Sequence, residues 1–190
     1  KNVLQLLEST RFPTCRTRPN VSDTPSTAFA LGDVGYRGQK SLGGKTRGPS
    51  RYNKKFPELY QALRDMMDYY HPDFKYTTIQ VNKNIQSKGH VDQNNVGESI
   101  IIALGEFEGG ELVIEGKPFN IKNRFKKFDG RLGHWVNKFR GTRYSLVFFT
   151  HTFKPPRREM RGLVVKKDGL YRDNECIKKY KKSDKRSKKR

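Results

Sequence analysis

Residues 141–151 read Gly141-Thr142-Arg143-Tyr144-Ser145-Leu146-Val147-Phe148-Phe149-Thr150-His151, and this run decides the fold. Extended chain turns successive side chains to opposite faces. Arg143, Ser145, Val147, Phe149 and His151 therefore share one face of a strand, and Tyr144, Leu146 and Phe148 the other. The same period of two recurs upstream. Lys75–Asn84, Glu98–Leu104, Glu111–Glu115, Phe119–Ile121 and Phe125–Phe128 read as further short strands. Gly105, Gly109-Gly110, Gly116, Gly130 and Gly141 punctuate them. With short strands around His90 and Trp135 the total is about eight, and that many antiparallel strands in one unit make a sandwich or a jelly roll. Phe56–Tyr70 breaks the pattern: Pro57 suits a first helical turn, and Leu59, Leu63 and Met66/Met67 recur at helical spacing. This predicts a support helix on the sheet. A shorter helical start lies around Val3–Glu8, and one further strand is expected at Leu163–Lys166. The fold class expected is mainly β (α+β), a jelly roll with flanking helices.

The 190 residues suffice for one domain with a sizeable core. The apolar third of the chain is concentrated between Phe56 and His151. No apolar run approaches the roughly 18 residues of a membrane-spanning helix, so no membrane partner is expected. The chain opens at Lys1 with neither a methionine nor an apolar signal core, and a trimmed fragment is the expectation. Cys15 and Cys176 could pair, but two cysteines imply no disulfide framework and no thiolate metal site. That usage fits a reducing, intracellular compartment.

The net charge is +21, and its distribution is uneven. Tyr36–Lys55 holds seven Lys/Arg and no acid, and the tail Ile177–Arg190 holds nine against Asp184 alone. A solvating tail and a nuclear-import signal are both open for the latter. In the Gly-rich segment, backbone freedom beside seven cations suits a loop laid along phosphates. A flexible linker or a surface for an acidic protein accounts for the same charge.

Four histidines occur, three of them beyond the His71-Pro72 turn. His90-Val91-Asp92 sets an imidazole and a carboxylate on one face of an extended strand. Alone, such a pair is as readily a surface His–Asp contact. A third ligand from a distant strand would complete the two-His-one-carboxylate set of non-haem Fe(II) sites, which leaves positions open for a chelating cosubstrate and dioxygen. His134, in Asp129-Gly130-Arg131-Leu132-Gly133-His134-Trp135, is the candidate. Nine residues beyond it stands Arg143. An inward Arg there can hold a carboxylate through two parallel hydrogen bonds, which is what the distal end of 2-oxoglutarate requires. The alternative, a surface cation, sits badly at the head of an apolar strand.

On these residues the sequence resembles the Fe(II)/2-oxoglutarate-dependent dioxygenases, and within them the TET/JBP branch, which oxidises methyl groups on nucleic-acid bases. The pieces that carry the resemblance lie between Gln80 and His151. They are Gln80-Val81-Asn82, His90-Val91-Asp92, Leu104-Gly105-Glu106-Phe107-Glu108-Gly109-Gly110-Glu111-Leu112, Phe128-Asp129-Gly130, His134-Trp135 and Arg143-Tyr144-Ser145. The resemblance implies a double-stranded β-helix with His90, Asp92 and His134 as catalytic Fe(II) ligands. It implies Arg143 and Ser145 as contacts of the cosubstrate 2-oxoglutarate, and Asn82, Asn95, Phe149 and His151 on the substrate side. Asn95 follows Asp92 by three residues, and Phe149 and His151 follow Arg143 by six and eight. In the branch an aromatic at the former place stacks on a flipped base and a His at the latter bonds its edge. The plainer reading makes Phe149 core and His151 a strand-end histidine.

The implied reaction is oxidation of 5-methylcytosine to 5-hydroxymethylcytosine in DNA, on a base flipped out of the stack. Thymine oxidation within the branch and a protein (prolyl or lysyl) hydroxylase are the alternatives, with a non-catalytic module of broken ligands behind them. Two departures stand out. Two cysteines cannot build the Cys-rich, zinc-bearing region of animal TET enzymes, so nucleic-acid contacts fall to Tyr36–Lys55 and the tail. A related algal enzyme type uses ascorbate, although Arg143 and Ser145 favour 2-oxoglutarate. The expected organisation is a basic polar extension over 1–55 packed on or flanking the core, a catalytic domain over 56–176, and a basic tail over 177–190. A monomer is the expected state.

Overall fold

The computed structural model describes residues 2–15, 21–22, 26–37, 45–92, 95–151, 164–165 and 171–172. One antiparallel sheet of seven strands runs in the order β1 (Thr14–Cys15), β2 (Ser26–Arg37), β4 (Thr78–Lys83), β12 (Tyr144–His151), β5 (Asn95–Leu104) and β9 (Lys126–Phe128), with β3 (Lys45–Pro49) paired to β2. A second sheet orders β10 (His134–Val136), β7 (Leu112–Ile114) and β8 (Lys117–Phe119). Two-stranded pairs join β11 (Phe139–Gly141) to β6 (Phe107–Gly109) and β13 (Val164–Val165) to β14 (Tyr171–Arg172). This is the expected mainly antiparallel architecture with few helices. Among the described residues, no helix is long and apolar enough to cross a membrane.

The chain divides into two units. The first takes Lys1–Val34 and Pro49–His151 and carries the candidate site. The second takes Gly35–Gly48 and Thr152–Arg190, where the described residues form the end of β2, most of β3, and the β13–β14 pair. The tail 177–190, Cys176 and residues 38–44 of the basic segment lie outside the described residues.

Strand β12 is central because both its faces are buried. Tyr144, Leu146 and Phe148 join Ile79, Val81, Ile100, Ile102, Phe29 and Leu31 in one core. Val147, on the opposite face, packs with Ile101, Ala103, Phe107, Leu112, Ile114, Ile121 and Phe128 in a second core inside the roll. The face assignment read from period two holds for Tyr144, Leu146 and Phe148 on one side and for Arg143 and Val147 on the other.

Helix α3 (Pro57–Tyr70) covers the first core. Pro57 occupies its first turn, where a missing N–H costs nothing, and Glu58 there complements the helix dipole. Leu59, Leu63 and Met67 form its buried stripe. Leu63→Ala would open a cavity and cost about 2–5 kcal/mol. Helix α1 (Val3–Ser9) adds Leu6 and Leu7 to the same core. It is held at its start by a reciprocal Asn2–Gln5 capping box. Between them, α2 (Arg51–Lys55) is capped by Ser50, whose Oγ accepts from the Tyr52 amide.

The structure differs from the sequence reading mainly at β2, which lies in the stretch expected to be a basic polar extension. Its residues alternate small and large only weakly, and Gly32 interrupts them. Membership comes from pairing with β4, Thr27 opposite Lys83 through Gly32 opposite Thr78. That pairing is invisible locally. Gly32 also has φ 80 and a backbone approach from Thr77 that leaves no room for a Cβ. The strand expected at Phe119–Ile121 falls at β8 instead, while Lys122 makes an isolated bridge to Ala103. Strands β6 and β11 were not anticipated: they lie where Gly109 and Gly141 read as punctuation, and they form by pairing with each other.

Candidate active site

His90 and His134 face each other across an isolated antiparallel bridge, exchanging both backbone hydrogen bonds at 3.0 Å. That exchange brings their rings to a centroid separation of 4.3 Å. Asp92, two residues on, returns its carboxylate to the same face. Its Oδ1 lies 3.9 Å from His90 Nε2 and its Oδ2 3.8 Å from His134 Nε2. One ligand atom from each residue falls within 4.8 Å of the others.

Each imidazole spends its Nδ1 on a backbone carbonyl, His90 on Lys88 at 2.7 Å and His134 on Leu132 at 2.8 Å. This fixes the ring planes and the tautomer, and it leaves both Nε2 lone pairs directed at Asp92. Burial holds the His134 imidazole below its ordinary pKa; the Leu132 carbonyl opposes this, His90 adds to it, and Asp92 opposes it. A neutral imidazole is the ligating form. Two imidazole nitrogens and one carboxylate suit a divalent first-row metal and leave coordination positions open, as Fe(II) oxygen chemistry needs. The donor set fits the ion inferred from sequence.

Arg143 enters the same inner core from the far end of β12. It is 1% exposed. Its amide donates to Asn84 Oδ1 at 2.8 Å and its Nη2 to the Gly110 carbonyl at 3.2 Å. Phe107 and Phe139 flank the guanidinium at 5.6 and 5.4 Å. Nε and Nη1 are buried and have no hydrogen-bond partner among the described residues. Burial pushes the guanidinium down to about 10, with Glu111 opposing the shift. A buried cation with two idle donors is costly unless an anion completes it. A ligand carboxylate meets that need in bidentate form, so this chain's residues also fit 2-oxoglutarate. Ser145, likewise buried, accepts from Asn82 Nδ2 at 3.2 Å.

Of the residues expected to contact substrate, His151 and Asn95 are cross-strand partners of β12 and β5. The register shifts between Phe148 and Thr150, so Phe149 sits at an irregularity of the strand. The Phe149 and His151 rings lie 6.2 Å apart, edge to face. Asn95 is buried, and its Nδ2 donates to Ser99 Oγ at 3.3 Å. The structure thus brings Asn95, Phe149 and His151 to one end of the sheet. Asn82 goes elsewhere: it pairs in register with Ser145, at the cosubstrate end of β12, because β4 runs antiparallel to β12.

Several contributors were not singled out from sequence. Gly110 was read as turn punctuation, yet a Cβ on it would lie 2.9 Å from Arg143 Nε. Asn84 holds the Arg143 amide from a left-handed conformation, φ 54, which Asn tolerates better than most residues. The glycine doublet and an Asn at a strand end were the available signals. The carbonyls of Lys88 and Leu132 leave no side-chain signature.

The jelly roll thus sets two imidazoles and a carboxylate in one cluster and buries a guanidinium against its inner core. A solved structure shares the fold. NgTET1 in complex with 5mC DNA superposes with a TM-score of 0.53 at 17% identity, covering 66% of this chain and 61% of that one. The chain therefore spans under two thirds of that protein's length. An oxidoreductase of the 2OG-Fe(II) oxygenase family from Burkholderia pseudomallei gives a TM-score of 0.49 at 19% identity, covering 77% of this chain and 76% of that one. No family model matches the chain, and no curated protein matches it.

Proposed function

We propose that the chain is an Fe(II)- and 2-oxoglutarate-dependent dioxygenase that hydroxylates the methyl group of 5-methylcytosine in DNA. One observation carries the enzyme class: a His90–Asp92–His134 cluster shares a fold unit with a buried Arg143 whose Nε and Nη1 await an acceptor. Bound iron with dioxygen and 2-oxoglutarate would supply the oxidant, and the net change is methyl to hydroxymethyl with release of succinate and carbon dioxide. The chain's residues bind and orient. His90, Asp92 and His134 would hold the metal, and Arg143 with Ser145 would fix the distal carboxylate. The apolar wall of Val147, Ile101 and Phe128 would exclude water from the reacting methyl.

The base is argued from its edge. Asn95 spends its Nδ2 on Ser99 Oγ, which leaves its Oδ1 to accept. Cytosine offers an amino donor beside the N3 acceptor, matching Asn95 Oδ1 and a protonated His151 nitrogen. Thymine reverses both and would require the Asn95 amide to turn over. Phe149 would give the flipped base a stacking face worth about 1–3 kcal/mol with little selectivity. The structure of NgTET1 with 5mC DNA supports this substrate class by fold alone. The net charge of +21 supports a polyanionic partner.

Nucleoside mass spectrometry after incubation with methylated DNA, Fe(II) and 2-oxoglutarate tests the reading. 5-Hydroxymethylcytosine should appear with the wild type and fall sharply with Asn95→Ala and His151→Ala, while 2-oxoglutarate binding without DNA stays intact. Succinate formed only with peptides, or hydroxymethyluracil as the sole product, would overturn the substrate assignment and leave the oxygenase.

A further inference from the structure

Residues 129–132 form one tight turn between β9 and β10, closed by the Leu132 amide on the Asp129 carbonyl at 3.1 Å. Every ligand of the metal cluster is tied to it. The Gly130 carbonyl accepts from the Asp92 amide at 2.8 Å. The Leu132 carbonyl takes His134 Nδ1 at 2.8 Å, and His134 in turn pairs with the His90 backbone. Gly130 also packs against one ligand directly and against Asn95 beside it: a Cβ there would lie 3.4 Å from Asp92 Oδ2 and 2.9 Å from Asn95 Nδ2.

The turn is closed a second time by side chains. Asp129 Oδ1 accepts from the Arg131 amide at 2.9 Å and from Arg131 Nε at 2.8 Å, and Oδ2 accepts from Nη2 at 2.8 Å. Both oxygens are thereby committed, and Asp129 stays outside the ligand cluster although it lies five residues before His134. The planar fork of a guanidinium makes two parallel bonds to one carboxylate, which an ammonium cannot reproduce. We infer that Arg131 and Asp129 are positioning residues, a latch on the 129–132 turn that sets the geometry of all three ligands. The inference rests on the metal-site reading above.

The test is titration with Co(II), followed by calorimetry and by the visible absorption of the bound ion, which reports coordination geometry independently of turnover. Outer partners of metal ligands typically govern affinity by about 10–100-fold. Arg131→Ala and Asp129→Ala should each weaken Co(II) binding within that range and change the intensity of the visible bands. The double variant should bind no more weakly than either single one, since both break the same latch. Arg131→Lys, which keeps the charge and serves if the alanine variants do not fold, should recover only part of the affinity. Circular dichroism should be unchanged. Arg131→Ala or Arg131→Lys binding Co(II) like the wild type, with the same spectrum, would overturn the latch and leave the metal centre standing. A wild type that binds no Co(II) would overturn both.

Discussion

Replacing Arg143 with methionine separates what the fold needs from what a ligand needs. The guanidinium is 1% exposed, with Nε and Nη1 unpartnered among the described residues. Burial pushes it down to about 10, a penalty on the charged form on the order of 3 kcal/mol at about 1.4 kcal/mol per pH unit. The folded-state value lies below that of the unfolded chain, so the penalty is present in full at neutral pH. Methionine is shorter but unbranched and adaptable, can pack against Phe107 and Phe139, and carries no charge. Without ligand, Arg143→Met should therefore unfold at equal or higher denaturant, by about 1–3 kcal/mol, as for other buried ions exchanged for apolar residues. With ligand the order reverses. Loss of a buried bidentate pair costs about 3–5 kcal/mol, so 2-oxoglutarate binding should weaken by two to three orders of magnitude or more. At a hundred times its Kd the cosubstrate should stabilise the wild type by about 2.7 kcal/mol and the variant negligibly. Urea unfolding with and without 2-oxoglutarate, alongside anaerobic calorimetry with Mn(II), reads both effects. An Arg143→Met protein that binds 2-oxoglutarate within about tenfold of wild type would refute the ligand role. One clearly less stable without ligand would make Arg143 structural.

Asp92→Ala should abolish Co(II) binding and turnover together while leaving the denaturation midpoint of the metal-free chain close to wild type, because Asp92 is only partly buried and its amide bond to Gly130 survives. Equilibrium binding to a DNA duplex should weaken steeply with salt. Neutralising Arg51, Lys54 and Lys55 of α2 should flatten the log–log slope by roughly 0.9 for each phosphate left without its cation, and a salt-independent affinity would remove the electrostatic reading.

Legibility followed the distance over which each feature is written. The metal ligands were readable because H-x-D is local and strand parity puts both groups on one face; His134 stood out as one of four histidines, with Arg143 nine residues beyond it. The faces of β12 followed from alternation alone, and α3 from Leu59, Leu63 and Met67. Strand β2 was not readable. Its Ala, Ser and Gly residues have little preference of their own, and it becomes a strand because β4 offers it a ladder. The place of Asn82 was not readable for a related reason: sequence says which residues face inward but not which end of a neighbouring strand they reach. Antiparallel pairing sets Asn82 opposite Ser145 and Asn95 opposite His151, at opposite ends of β12.

The support of the site was least legible of all, because backbone does most of it. His90 and His134 are aimed by the carbonyls of Lys88 and Leu132 and by their own paired amides, groups that every residue carries. Side chains mark the sequence only where backbone is insufficient. Gly110 and Gly130 mark where a Cβ would strike Arg143, Asn95 or Asp92. Asn84 marks a left-handed turn, and Asp129 with Arg131 marks a turn held at both ends. In the sequence each of these looks like loop punctuation. In the folded chain Gly130, Asp129 and Arg131 adjoin the cluster and Gly110 and Asn84 adjoin Arg143, so substitutions there should alter the binding of metal and cosubstrate more than the stability of the roll.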